Sequence, residues 1–597
     1  YRDGTDPIMH PNTDWVGTFL RKASLRTQHN FNISGGTDRV KYFISAGFFN
    51  QGGMYKYTKI DRDHDVNASD TRYNFRSNLD FNITQDFKAV VQLSTQINDI
   101  RTPGLGNSNL WKEISWATPL GTPGMVDGKL VRLENTIDDE NPWQALLNNG
   151  YKNTFANTIN TTLRFEYDLS RLLLKGLSVH ASTSYDSYYN SRRLSVKTMQ
   201  TFVPKRDPND PTHIILVPQN EAGTWGGGFE YDKNRKVYFE TGIHFDRTFG
   251  KHQTTALLLY NQSKYYAPNL AYHVPNAYQG IVGRVTYGYA NRYLAEFNMG
   301  YNGTENFAAG RRFGFFPAVS AGWVVSEEPF FESLKKTVQQ LKLRASYGLV
   351  GNDQVGQERF AYQAIVDLEK SPEFSTGYGS QSRNLKGPVF KRFENTNLTW
   401  EVGRKLNVGF DLTVKDVKLT VDVFREIRSN IFQKKGSIPN YFGTAKTDIY
   451  GNLAKVKNWG VDLAVDYGKN ITKDLAVEFR GTFTFARNKV LEYDEAADTR
   501  PALRMVGKRL NSYWGYVANG LYIDEADIAN SPKSTLGNIA IAPGDVKYAD
   551  QPDQNGEYDG KIDANDRVQL GYPHIPEIVY GFGPSISYKK WDLSFFF

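Results

Sequence analysis

Apolar and polar residues alternate along most of this chain, and the alternation is most regular between positions 283 and 351. From Tyr293 to Asn302, the apolar residues occupy odd positions and the polar residues even positions, with Leu294 as the single exception. Equivalent patterns occur at 283–289, 315–325 and 341–349. Because successive side chains of a strand point to opposite faces, this period of two predicts four consecutive β-strands.

The same alternation recurs before and after this region. It predicts further strands at positions 29–35, 42–49, 73–83, 87–97, 158–169, 177–189, 237–249, 254–262, 398–414, 419–427, 453–467, 475–487, 578–588 and 591–597. The sequence therefore predicts an all-β protein of about 18 strands.

Taken alternately, the connections between these strands fall into a short set and a long set. The short connections are 37–39, 84–86, 170–176, 250–253, 290–292, 415–417, 468–474 and 589–590. The long connections are 51–70, 98–153, 190–234, 263–280, 303–314, 351–397, 428–452 and 488–570. Alternation alone also fits a half-buried sheet of a soluble protein, but loops sorted by length are typical of a transmembrane antiparallel β-barrel with short periplasmic turns and long extracellular loops.

One connection on the short side is an exception. Residues 326–340 begin with Ser326 as a candidate helix N-cap and continue with Glu327 and Glu328, a pattern that predicts a short helix.

The composition agrees with this interpretation and excludes several others. The 597 residues include 36 Tyr, 37 Phe and 52 Gly, no Cys and a net charge of only +7. A small, dispersed charge gives no indication of nucleic-acid binding. The nine His residues are scattered, and no metalloprotease, phosphate-loop or nucleophile-elbow motif occurs, so we predict that the chain is not an enzyme.

An acidic loop at positions 550–567 resembles a calcium-binding loop, with oxygen-bearing side chains on alternate residues and Gly560 at the turn. Its candidate ligands for a structural calcium are Asp553, Asn555, Glu557, Asp559, Asp563 and Asp566. The first ligand is either Asp553 or Asn555, because Glu557 and Tyr558 look inserted. The alternative is an acidic turn that is simply solvated.

Four tryptophans in the long loops are candidate contacts for a ligand or a partner protein. They are Trp111, Trp116, Trp143 and Trp225. Indole rings stack on sugar rings and on apolar side chains. The same residues would equally stabilise their own loops.

Several motifs resemble the SusC/RagA-like TonB-dependent transporters of the Bacteroidota outer membrane. They are Asn12-Thr13-Asp14-Trp15, Asn32-Ile33-Ser34-Gly35-Gly36, Tyr301-Asn302-Gly303-Thr304-Glu305-Asn306-Phe307, the run from Arg312 to Trp323, Leu343-Arg344-Ala345-Ser346-Tyr347-Gly348, Asn397-Leu398-Thr399-Trp400-Glu401, Asn458-Trp459-Gly460-Val461, Pro543-Gly544-Asp545-Val546-Lys547-Tyr548 and Tyr588-Lys589-Lys590-Trp591-Asp592. The resemblance spans nearly the whole chain.

This resemblance implies a 22-stranded integral outer-membrane barrel, of which residues 1–597 form the β-barrel domain without its N-terminal plug and last strands. It also implies TonB-dependent import of an oligosaccharide or peptide nutrient. The implied partners are a SusD-like surface lipoprotein acting as a lid, the TonB complex through the missing N-terminal region, outer-membrane lipid, and a second transporter–lid pair in a dimer.

In this setting the polar strand face either lines a solute pathway or packs against the plug. Its charged and amide residues include Arg72, Asn74, Arg76, Asp80, Arg164, Glu166, Lys342 and Arg344. The alternative function is a structural or adhesion barrel of a larger surface assembly that imports nothing. A passive porin is a third possibility.

Overall fold

The structure is a computed structural model that describes residues 4–56, 58–60, 64–132, 142–356, 358–368, 375–379, 382–384, 387–438, 448–537 and 540–597. Eighteen strands run in antiparallel ladders. They are β1 (Arg26–Gly36), β2 (Val40–Gly52), β3 (Ser69–Asn82), β4 (Phe87–Pro103), β5 (Tyr151–Asp168), β6 (Leu177–Val196), β7 (Gly226–Phe249), β8 (His252–Tyr266), β9 (Asn276–Tyr289), β10 (Tyr293–Thr304), β11 (Phe313–Val324), β12 (Val338–Asn352), β13 (Glu401–Val414), β14 (Val417–Lys434), β15 (Tyr450–Asn470), β16 (Leu475–Glu492), β17 (Ile578–Tyr588) and β18 (Trp591–Ser594). Each coincides with a strand that the alternation predicts.

The chain divides into two compact units. The first comprises residues 1–169, 178–241 and 262–277, and the second comprises residues 170–177, 242–261 and 278–597. In the first unit, β1 to β6 pair consecutively and without register shifts. The predicted antiparallel pairing of neighbouring strands is therefore confirmed in this unit.

In the second unit, β9 to β18 also pair in chain order. One cross-strand row shows how the alternation is used, because every residue in it is apolar: Tyr287, Ala295, Ala321, Ala345, Val408, Val423, Val461, Phe485 and Ile578. Many large apolar side chains on this face are exposed, such as Val423 at 53 %. A face of this kind is what a barrel presents to lipid.

Leu294, the exception in the alternation, has a local explanation. It lies on the polar face of β10, opposite Gly288 of β9 and Gly322 of β11. The two cross-strand neighbours of Leu294 therefore carry no side chain that would contact it, on a face otherwise occupied by polar groups.

The long connection at 98–153 contributes to a packed core. In the first unit, α1 (Trp15–Phe19), α2 (Asn107–Trp116) and α3 (Pro142–Asn148) meet beside short strands at Gly124–Val126, Lys129–Val131, Thr201–Arg206 and Ile214–Pro218. Asp14 caps α1 by accepting a 2.9 Å hydrogen bond from Gly17 N. We call the buried cluster the loop core; its residues are Trp15, Phe19, Tyr55, Val66, Leu110, Ile114, Leu130, Trp143, Leu146 and Leu147.

The short helix predicted at 326–340 is replaced by two 3₁₀ turns, Val325–Glu327 and Pro329–Leu334. Ser326 caps neither turn and is buried. Glu328 accepts a hydrogen bond from Trp323 Nε1 at 3.0 Å and lies 3.6 Å from Arg292. Hydrogen bonds from Tyr293 and Trp323 hold the pKa of the Glu328 carboxyl below its usual range. The acid therefore ties the connection to the strand ends and does not stabilise a helix N-terminus.

The long loops of the second unit carry only short elements and a small apolar cluster. Phe307, Phe316, Leu398 and Trp400 are its largest buried members. The remaining short strands are Ile365–Asp367, Ser375–Thr376, Arg383–Asn384, Val389–Arg392, Ser512–Gly515, Ala518–Leu521, Lys533–Ser534, Val546–Tyr548, Lys561–Ile562 and Val568–Pro573, with α4 at Glu525–Ala529. Among the helices of the described residues, none combines the length and the hydrophobicity needed to cross a bilayer.

Candidate functional site

The polar face of the second unit is organised around Arg344 on β12. Its guanidinium donates two hydrogen bonds to the Asp422 carboxylate, at 2.6 and 2.7 Å, and two longer ones to Asp411, both at 3.3 Å. Asp422 lies two strands away, and the position between them is Gly409. A Cβ at Gly409 would lie 2.5 Å from Asp422 Oδ1, so only glycine lets the arginine reach across.

A cavity of about 470 Å³ opens beside this ion-pair network. Its lining includes Arg344, Lys342 and Glu296, together with hydroxyl and amide side chains. Glu296 is held by Arg284 at 3.1 Å and by Asn298 at 2.7 Å. Most charges here are therefore partnered within the sheet, and the cavity offers hydrogen-bonding groups to a polar solute or to a polar protein segment.

The polar face of the first unit has the same character. Arg164 lies 3.6 Å from Glu166 and 3.7 Å from Glu240, which is also 3.5 Å from His180. Among the other residues that the sequence assigns to this face, Arg72 lies beside Asp70 and Asp80 lies beside Lys88. Asn74 and Arg76 line a cavity of about 440 Å³. In each unit, the alternating sequence therefore places ion-paired charged residues on one face of the strands and apolar residues on the other.

The structure places the four loop tryptophans in three environments. Trp143 is 1 % exposed in the loop core, with its ring centroid 4.4 Å from that of Phe19, which places this candidate in the interior and not on a contact surface. Trp225 is half-buried and stacks on His64, with 3.9 Å between the two ring centroids. Trp111 and Trp116 on α2 are 46 % and 67 % exposed. Of the four, only these two are exposed enough to contact an external partner.

The acidic loop is organised around Arg500, which lies some fifty positions earlier in the chain. Arg500 donates to Asp566 Oδ1 at 3.0 Å and to the Gln551 carbonyl at 2.7 Å, and it also donates to Asp559. The Asp566 side chain is fully buried and accepts the backbone N–H groups of Gln551 and Asp563. Sequence inspection missed Arg500 because no local pattern links it to the loop.

Two other candidate ligands, Asp553 and Asp563, accept hydrogen bonds from backbone N–H groups of the loop itself. Asp553 Oδ1 accepts from Asn555 N at 2.7 Å and from Glu557 N at 3.0 Å, and these backbone hydrogen bonds hold the pKa of Asp553 below its usual range. Asp563 accepts from Asn565 N at 2.7 Å. Burial raises the pKa of Asp550, whose Oδ1 has no hydrogen-bond partner.

The acidic side chains of the loop are hydrogen-bonded to protein groups in this structure. Within the described part of the chain, no three Asp, Glu, His or Cys side chains meet in a group that could hold a metal ion. The Arg500 guanidinium supplies a positive charge to Asp559 and Asp566, two of the candidate ligands. Calcium binding by Asp553, Asn555, Glu557, Asp559, Asp563 and Asp566 therefore stays a prediction of the sequence.

Replacement of Arg500 by glutamine is expected to open the acidic loop. The variant leaves Asp550, Asp559 and Asp566 without their shared cation. Since a hydrogen bond to a charged group contributes about 1.5–3 kcal/mol, protease cleavage within 550–567 should accelerate by roughly ten- to hundred-fold. Arg504→Gln is the matched control, because Arg504 is exposed and donates only to the Thr499 carbonyl.

The same assay, run with calcium and then with a chelator, tests the metal. With Arg500 in place, we expect the cleavage rate of the unsubstituted protein to be the same in both. Strong protection by calcium that the chelator removes would contradict an arginine-centred loop and support the calcium site.

Comparison with known proteins agrees with this architecture. The family model described as "TonB dependent receptor-like, beta-barrel" matches residues 12–595. TonB-dependent receptor P3 of Formosa agariphila is 25 % identical over 98 % of this chain and 58 % of its own length. TonB-dependent receptor SusC of Bacteroides thetaiotaomicron is 24 % identical over the same shares, 98 % and 58 %. The chain thus spans less than two thirds of the length of these relatives.

Solved structures give the same fold. The RagAB peptide importer in its open-open state superposes with a TM-score of 0.72 at 17 % identity, covering 97 % of this chain and 61 % of that one. The RagAB peptide transporter gives a TM-score of 0.69 at 19 % identity, with coverage of 98 % and 62 %. The alternating strands, the sorted loops and the match over residues 12–595 lead to one conclusion: the chain belongs to the TonB-dependent receptor β-barrel family, whose members are integral proteins of the bacterial outer membrane.

Proposed function

We propose that this barrel imports an oligosaccharide or peptide nutrient across the outer membrane in a TonB-dependent cycle. The observation that carries the proposal is the alignment of 97–99 % of the chain with curated TonB-dependent receptors, SusC among them. The structural likeness to proteins named as peptide transporters supports a peptide as one of the two substrate classes.

The barrel contributes a wall and a polar interior, and it breaks no covalent bond. Inside the hydrocarbon of a membrane, every backbone N–H and C=O group needs a hydrogen-bond partner. The antiparallel ladders provide these partners. On the polar face, Arg344 and Arg164 are held by carboxylates. A polar face with paired charges can contact either a hydrated solute or the plug of the whole protein, because few of its charges are left without a partner.

We further propose that a SusD-like lipoprotein covers the extracellular mouth and that the TonB complex acts on the plug. Two exposed indoles on α2, Trp111 and Trp116, support a contact with the lid or with the ligand. Exposed Trp side chains are unusual outside interfaces, where they contribute large apolar area at low entropic cost. A dimer of transporter–lid pairs is part of the same proposal.

The proposal is tested by recovering the full-length protein from gently solubilised outer membranes and identifying its companions by mass spectrometry. We expect a SusD-like lipoprotein together with a glycan or a peptide. We also expect cellular uptake of that ligand to fall, when the proton gradient is collapsed, to the level of a strain lacking the protein.

Two outcomes would contradict this function. Uptake that continues without the gradient would indicate a passive porin. Recovery of adhesion or secretion components, with no lid and no ligand, would indicate a structural barrel of a larger surface assembly.

A further inference from the structure

A cavity of about 430 Å³ lies in the first unit, on the side of the long loops. Strands β6, β7 and β8 contribute to its walls, and the loop after β8 closes one side. Its principal side chains are Tyr185, Ser187, Lys233, Arg235, Tyr266 and His273. None of the described residues that line it is acidic.

The cavity opens on the apolar face of the strands. On β7, Arg235 and Lys233 occupy odd positions, as do Val237, which is 40 % exposed, and Tyr231, which is 62 % exposed. Alternate residues of a strand share a face. In an outer-membrane barrel this is the face that meets lipid, so these two cations point to the membrane and not to the barrel interior.

The position along the strand places the cavity at the level of the lipid headgroups. A strand needs about 9–11 residues to cross the hydrocarbon, whereas β7 has 24 residues and extends far into the long-loop side. On the face that carries Arg235, the residues between Arg247 and Arg235 are apolar except for Thr241, and they run from Phe245 to Val237. This change from apolar to basic side chains marks the outer edge of the hydrocarbon band.

The acidic residues of the same strand segment lie on the opposite face of β7. Glu230 and Asp232 occupy even positions, and Glu230 lies 3.9 Å from Arg192, on the opposite face. The charge of Lys233 and Arg235 is therefore not neutralised by their nearest acidic neighbours along the chain. Lys264 on β8 adds a third cation, with its Nζ 5.5 Å from the Tyr266 ring.

The Tyr266 ring contacts two of these cations, Arg235 and Lys264. The Arg235 guanidinium carbon lies 4.7 Å from the centroid of the Tyr266 ring, a cation–π geometry. The 3₁₀ turn Ala271–His273 has positive φ at Tyr272 (59°) and His273 (55°), a conformation that costs energy for residues other than glycine. This turn brings His273 to the rim of the cavity.

We propose that this cavity binds the phosphate-bearing headgroup of a lipid in the outer leaflet. Guanidinium and ammonium groups donate charge-assisted hydrogen bonds to phosphate oxygens, and each basic residue near an anionic membrane surface adds to the attraction. The tyrosines contact the sugar or glycerol part of the headgroup while the acyl chains lie against the apolar strand face. The site depends on the outer-membrane location and is independent of the transport proposal.

The test uses the purified full-length protein in mild detergent, with native mass spectrometry as the readout. The phosphorylated outer-membrane glycolipid, its dephosphorylated form and inorganic phosphate are titrated separately. We expect the double variant Lys233→Gln/Arg235→Gln to bind the phosphorylated lipid roughly 30-fold more weakly than the unsubstituted protein, since each basic residue contributes about 1 kcal/mol.

Lys236→Gln is the matched control, because Lys236 lies on the same strand but on the opposite face. It should bind the lipid as the unsubstituted protein does, and all variants should share one melting temperature because these side chains are exposed. Lys264→Gln, outside the double variant, should weaken binding several-fold.

Three outcomes overturn the proposal. Equal lipid binding by the double variant and the unsubstituted protein would show that the cavity is not the site. An equal loss in Lys236→Gln would show that only net charge matters. Saturation by inorganic phosphate at the lipid's own concentration range would assign the cavity to free anions.

Discussion

Replacement of Trp143 by alanine is expected to destabilise the loop core of the first unit by about 3–5 kcal/mol, the usual cost of truncating a fully buried large aromatic residue. Trp143 is 1 % exposed and packs on Phe19, which joins α3 to α1 across more than a hundred residues of sequence. The cavity left behind would be lined by Trp15 and Gly124, which lie next to the indole.

The loss should be local to the loop core. The antiparallel ladders of β3, β4 and β5 have their own backbone hydrogen bonds, so we expect them to keep their hydrogen-exchange protection. Amides of α2 and α3 should exchange much faster in the variant. Hydrogen exchange with mass spectrometry on the full-length protein resolves the two regions.

Trp116→Ala is the control for this experiment. Trp116 is 67 % exposed and contacts Lys112 through a cation–π geometry at 4.0 Å, so its removal should cost about 1 kcal/mol or less. If it weakened lid or ligand binding without changing hydrogen exchange, the contact proposed for α2 would be supported. Equal destabilisation by both substitutions would contradict the separation of the tryptophans into core and surface.

Replacement of Arg344 by methionine is expected to destabilise the second unit by about 1–3 kcal/mol. Breaking a fully buried ion pair from one side costs about 3–5 kcal/mol. The figure is reduced here because the side chains of Arg344, Asp411 and Asp422 are 30 %, 22 % and 17 % exposed. The variant leaves two carboxylates close together with no cation between them, and chemical denaturation of the full-length protein measures the loss.

Two further variants define the cause. Arg480→Met breaks a 2.7 Å pair with Asp466 on the same polar face, but the two side chains are 68 % and 40 % exposed, so the cost should be about 0–1 kcal/mol. Adding Asp411→Asn and Asp422→Asn to Arg344→Met should restore most of the lost stability by removing the uncompensated charges. No recovery in that triple variant would show that Arg344 contributes by packing alone.

The strands could be predicted because their information is local. A period of two over ten residues is visible in the sequence, and the strand predicted at 73–83 lies at Ser69–Asn82 in the structure. The prediction failed where that signal fades. Strand β7 begins at Gly226, eleven residues before the predicted start at 237, because Glu230, Asp232 and Lys233 place charges on both faces beyond the hydrocarbon band.

By itself, the sequence determined the strand order, the two faces and the sorting of loops by length, since each depends on neighbours within a few residues. The tertiary structure alone decided which distant residues meet. Trp15, Phe19 and Trp143 form one core, and Gly409 lets Arg344 reach Asp422. Arg500 likewise occupies the acidic loop that resembled a calcium site. These pairings arise because packing and charge compensation are satisfied across strands and loops, where sequence separation carries no signal.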